Sequence, residues 1–123
     1  MGTMRICRNR HSSLFVMALA WTLWMRADLY SLPRTEEDTP LGSYWNPVTR
    51  SKESSTFDSR ESCESAKQTT LSGLRSRQGT YDQGEGTKTT IKVDGDIIVM
   101  ISQFKEGKGS EQKIQLFCLD KDP

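Results

Sequence analysis

The feature that most limits what this chain can fold into is LFVMALAWTLWM, Leu14 to Met25, twelve residues with no charge and only Thr22 polar. A bilayer-spanning helix needs about 20 predominantly apolar residues, so the run is too short for a stable transmembrane anchor. Arg5, Arg8 and Arg10 precede it, and the first acidic residue, Asp28, follows it. A basic leader, a short apolar stretch and a small-x-small site together form the pattern of a secretory signal. Ala18-Leu19-Ala20 supplies that site and places cleavage before Trp21. The expectation is a signal peptide over residues 1–20, a single small domain over 21–123, and a periplasmic or extracellular location. The competing reading makes the run a core helix or strand of a cytosolic domain.

The cysteines lean the same way. Cys7, Cys63 and Cys118 are an odd number, and cleavage after Ala20 removes Cys7 and leaves a pair free to bridge in an oxidising compartment. The same cut removes three basic residues and no acids, leaving fourteen Lys and Arg against sixteen Asp and Glu. Neither the full chain, formally +1, nor the processed one carries the basic excess on which nucleic-acid binding depends.

Along the domain, WTLWMR alternates as a strand from Trp21, with Trp21 and Leu23 on one side and Thr22 and Trp24 on the other. Ala27 to Ser43, with Pro33, Pro40 and the acidic TEED, reads as a loop. Tyr44 to Thr49 is a second strand, which Pro47 places at an edge or a bend. A helix follows within FDSRESCESAKQTTLSGLRSRQG, with Asp58 as N-cap, Glu61 completing a capping box, and Gly79 as the stop. Cys63, Ala66, Thr70 and Leu74 form its inward stripe, with Leu71 beside it. TYDQGEG reads as a flexible link. KTTIKVDGDIIVMISQF is a hairpin turning at Asp94-Gly95, and QKIQLFCL is a last strand with Ile114, Leu116 and Cys118 on one face. The expected fold is α+β: one helix packed on a small antiparallel sheet, in the order β-β-α-β-β-β. If the Ile114–Leu116–Cys118 face meets the helix stripe, a Cys63–Cys118 bridge is geometrically reasonable. Metal binding and redox catalysis are the alternatives for this pair.

Motifs for chemistry are sparse. The one histidine, His11, lies in the expected signal, which excludes Ser-His and Cys-His nucleophiles from the processed domain. Two distant cysteines without an imidazole are too few for zinc, and no Cys-x-x-Cys is present. GEGTKTT and GKGS lack phosphate-loop spacing, and the DGD and LDKDP acids lack calcium-loop spacing. Nothing selects a catalytic carboxylate pair from Glu53, Asp58, Glu61 and Glu64. No catalytic residue, metal or cofactor is therefore assigned. The aromatic residues are the candidate binding surface: Trp21, Trp24, Tyr44 and Trp45 lie on the two N-terminal strands, whose pairing would expose a patch for a protein, peptide or glycan. The opposing reading buries them in the core.

WTLW directly after the signal, YWNPVTRSKESSTFDSRESCESA and the closing IQLFCLDKDP together resemble a group of small exported bacterial proteins of uncharacterised function. Those share Trp-x-Leu-Trp, a Phe-x-[ST]-x-Glu-x-Cys helix start and a late [FY]-x-C-x-x-D ending. The resemblance covers most of the domain and implies export and a paired-cysteine fold, with no activity attached. The resulting expectation is a non-enzymatic binding or envelope-associated module. A regulator or inhibitor of a cell-envelope enzyme, acting through Pro33–Tyr44 or Lys105–Glu111, is the alternative, and a carboxylate hydrolase comes third.

Overall fold

The computed structural model describes residues 20–49 and 51–123. It contains seven strands and one α-helix: β1 (Trp21–Leu32), β2 (Gly42–Pro47), β3 (Thr56–Phe57), α1 (Arg60–Arg75), β4 (Gly79–Gly84), β5 (Thr87–Asp94), β6 (Ile97–Gln103) and β7 (Gly109–Leu119). A single 3-10 turn, Glu53–Ser55, precedes β3. The strands form one antiparallel sheet ordered β2-β1-β7-β6-β5-β4, with β3 paired to the start of β1. The class is α+β as expected, but the order is β-β-β-α-β-β-β-β, two strands richer than the sequence suggests.

Both additions, and the extra length of β1, have physical reasons. β1 runs on to Leu32 where the sequence reads as loop from Ala27. Ala27 keeps the inward alternation of Leu23 and Met25, while Arg26 and Asp28 fill the outward positions and disguise the period. The loop is correspondingly shorter. β4 occupies the supposed link TYDQGEG. It is an edge strand, exposed throughout, so it has no apolar alternation to betray it. Glu85 and Gly86, with φ of 54° and 81°, turn it into β5, the double positive φ that a tight hairpin needs. β3 is only two residues long and too short to leave a pattern.

Two local assignments also move. The helix N-cap is Ser59, not Asp58: its side chain accepts from the Ser62 N–H at 3.1 Å, which leaves Glu61 in the first turn beside the dipole but outside any capping box. The β5–β6 turn is Gly95-Asp96, one residue later than Asp94-Gly95, because Asp94 pairs with Ile97. Gly95, at the first central position, supplies the positive φ of 60°.

The helix lies across one face of the sheet, against β1, β5 and β7. Its Cys63 and Leu71 are fully buried against Leu23 and Ala27 of β1, Ile98 of β6, and Ile114 and Leu116 of β7. Ala66 and Leu74 pack beside them. The inward set of β7 thus meets the helix stripe, and Cys63 is bridged to Cys118 with 6.0 Å between their Cα atoms. The bridge ties the first helical turn to the strand at the centre of the sheet. No helix among the described residues is long and apolar enough to cross a membrane.

Candidate functional site

Register decides which aromatic side chains share a face, because directly opposed residues in an antiparallel pair point the same way. Trp21 packs against the core cluster on the helix side, with the Arg60 guanidinium 5.6 Å from its ring centroid. Tyr44 opposes the fully buried Ala27, so it too lies on that side, at the exposed flank. Trp24 and Trp45 lie on the opposite, open face. Trp24 opposes Phe117 on β7 and Pro47 on β2, and Trp45 opposes Arg26. The four candidate residues therefore divide two and two, and the strands do pair.

The open-face group contains a residue the sequence reading did not single out. Trp45 and Phe117 have ring centroids 5.3 Å apart at an interplanar angle of 50°. Their strands are separated by β1, a span of about 10 Å at ordinary strand spacing. Both rings must therefore lean across β1, where Trp24 lies in register with Phe117. This arch explains why Trp24 is only 8% exposed although it faces away from the helix. Its indole Nε1 is buried with no hydrogen-bond partner. Trp45, at the edge of the arch, remains 37% exposed. Phe117 is legible in the sequence, because it alternates with the inward Leu116 and Cys118 and so falls on the opposite face.

Polar groups border the arch on the same face. Arg26 Nε lies 3.4 Å from Asp28, whose other neighbour, Ser43, donates its hydroxyl to the same carboxylate at 2.5 Å. Exposed Gln115 flanks Phe117 along β7. Further along, Arg34 folds back over the Tyr30 ring at 3.7 Å and brings Nη2 to 2.6 Å from Glu111 Oε2, a close charge contact without hydrogen-bond directionality. The loop from Pro33 is braced by Asp38, which accepts from the Thr35 N–H at 2.9 Å, and it ends at Leu41, 71% exposed.

An open cleft of about 470 Å³ lies between the 3-10 turn and the C-terminal tail. Glu53, Asp120 and Asp122 line it with Lys52 and Lys121, and Lys52 pairs with Asp122 at 2.5 Å. Ala20 forms part of its wall, whereas Ala18, the other residue of the expected cleavage site, lies outside the described residues with most of the expected signal. Among the described residues, no three His, Cys, Asp or Glu side chains come together as a metal ion would need. No protein-family model, curated protein or solved structure matches the chain.

Proposed function

We propose that this chain is an exported, non-enzymatic binding module, held together by Cys63–Cys118, whose recognition surface is the open face around Trp45. The observation that carries the surface is the Trp45–Phe117 arch over Trp24: an exposed indole on a strand-borne platform, bordered by Arg26, Asp28 and Ser43. Large aromatic rings supply contact area at low entropic cost, and adjacent planar polar groups give it direction. Export is supported by the basic leader and Ala18-Leu19-Ala20, by the resemblance of the WTLW and FCLD segments to exported proteins, and by a bridge of a kind that persists in oxidising compartments. A peptide or a glycan fits the surface chemistry.

The test is an array of envelope glycans and peptides probed with the native chain and with Trp45→Ala. Ligands held by the native chain and lost by the variant support the reading. A native chain that binds none, or a variant that keeps them all, overturns the surface. Intact mass with and without thiol alkylation tests export separately: a chain beginning at Trp21 with no alkylatable thiol is expected, and a full-length chain with three sinks it.

The braced loop from Pro33 to Leu41 favours a second reading, a regulator or inhibitor of a cell-envelope enzyme. There the loop would make the contact, and Leu41→Ser would abolish binding while Trp45→Ala would not.

A further inference from the structure

The β2 edge is open, and its chemistry is specific. β2 pairs with β1 on one side, and no strand among the described residues covers the other. The Val48 N–H donates to the Leu23 carbonyl at 3.0 Å, so 23 and 48 are a hydrogen-bonded pair. Antiparallel pairs alternate, so Asn46 and Tyr44 also turn their main-chain groups toward β1. Ser43, Trp45 and Pro47 turn theirs outward. Leu41 to Thr49 contains no charged residue. Three of the large apolar side chains left most exposed, Leu41, Tyr44 and Trp45, belong to this edge. The opposite edge, β4, is blunted: it carries Asp82, has a bulge between Asp82 and Gly84, and its Tyr81 hydroxyl is held by the Arg77 carbonyl. Edge strands are ordinarily protected by charge, proline or bulges. β2 has only Pro47, at its end.

We propose that two copies of this chain pair through β2, antiparallel, about a two-fold axis at Trp45. In that register the Trp45 N–H of each copy donates to the Trp45 carbonyl of the other, and each Ser43 N–H donates to the other copy's Pro47 carbonyl. Every outward N–H of both edges then has an acceptor. Pro47, which has no N–H, falls where none is available to give. A two-fold also sets the edge against its own copy, so that charges on it would meet like charges near the axis, and Leu41 to Thr49 carries none. The two Trp45 side chains lie opposite one another on the open face, so each copy completes the other's aromatic site as a strip from Phe117 through both Trp45 rings to the second Phe117. A six-residue strand is only about 20 Å long, so the interface is smaller than that of a permanent dimer and association depends on concentration.

The experiment is sedimentation equilibrium of the purified, oxidised chain from low to high micromolar concentration. The mass should rise toward twice that of the monomer and no further. Ser43→Pro removes one outward N–H per copy and keeps the main-chain bonds to β1, losing toward β1 only the hydroxyl bond to Asp28, and it should weaken dimerisation at least about tenfold. Trp45→Lys sets two ammonium groups at the axis and should leave only monomer. Circular dichroism and urea midpoints check that both variants fold. A native chain that stays monomeric throughout, growth beyond two copies, or a dimer indifferent to Ser43→Pro each overturns the proposal. Sedimentation and array binding of the native chain separate the two readings: a chain that binds ligands but stays monomeric overturns this inference alone, and one that dimerises but binds none overturns the recognition reading alone.

Discussion

Breaking the Cys63–Cys118 bridge is the perturbation whose size follows most directly from the structure. The two residues are 55 positions apart, and in the chain-entropy model a loop of that length restricts the unfolded chain by about 14 cal/mol/K, or about 4 kcal/mol at 25 °C. The native state adds a smaller share, because Cys63 is fully buried between helix and sheet. For a domain of this size, 4 kcal/mol is a large part of the usual net stability of about 5–15 kcal/mol. The assay is urea unfolding of the oxidised chain against Cys63→Ala/Cys118→Ala, followed by fluorescence of the tryptophans. Two changes are expected: a loss of about 4 kcal/mol, and a steeper denaturant dependence, because an uncrosslinked unfolded chain exposes more surface. Reduction of the native protein, which keeps both sulfur atoms in place, should reproduce the loss. A double variant within about 1 kcal/mol of the native chain at unchanged slope would refute the reasoning, since the bridge would then constrain nothing the unfolded chain explores.

Two further substitutions test the packing of the sheet. At Gly109 a Cβ would overlap the Ser102 carbonyl oxygen across the β6–β7 pair, so Gly109→Ala should cost about 3 kcal/mol in urea unfolding; Gly42→Ala, with open space around its Cβ, should be neutral or slightly stabilising, and equal effects would count against the strand register. Arg34 and Glu111 are 10% and 13% exposed, so Arg34→Met should cost about 3 kcal/mol by stranding a carboxylate; adding Glu111→Leu should recover most of it, and a double-mutant cycle with no coupling would remove the pair from the fold's account.

What the sequence disclosed, and what it concealed, follows from where each residue sits. The sets Trp21–Leu23, Cys63–Ala66–Leu74 and Ile114–Leu116–Cys118 are readable because burial imposes a period, whereas Leu71, which the pattern puts beside the helix stripe, is fully buried and Thr70 is not. The second half of β1 was obscured by Arg26 and Asp28, outward neighbours that interact with each other and with Ser43 rather than marking a loop. β4 left no trace because all of it is exposed. The sidedness of Trp21 and Trp24 came from alternation alone. The arch did not, since it needs β7 beside β1, a pairing such as Leu23 with Cys118 that joins the two ends of the domain. Local pattern carries no information on that choice.

The open face also argues for where a partner can sit. Toward β5 it carries Ile97, Val99 and Ile101, aliphatic but opposed in register by Asp94, Lys92, Lys113, Glu111 and Gln115. The stems of long charged side chains cover aliphatic neighbours while their heads stay in water, and half-buried Lys113 beside half-buried Val99 fits that arrangement. This half of the face is already dressed by its own residues. A partner spread over the whole sheet would have to displace half-buried Lys113 from beside Val99 and desolvate its ammonium group, at a cost that apolar contact with one valine does not recover. A partner confined to the β1–β2 end meets Trp45 without that penalty. The same asymmetry makes β2, rather than the middle of the sheet, the place where a second chain gains most.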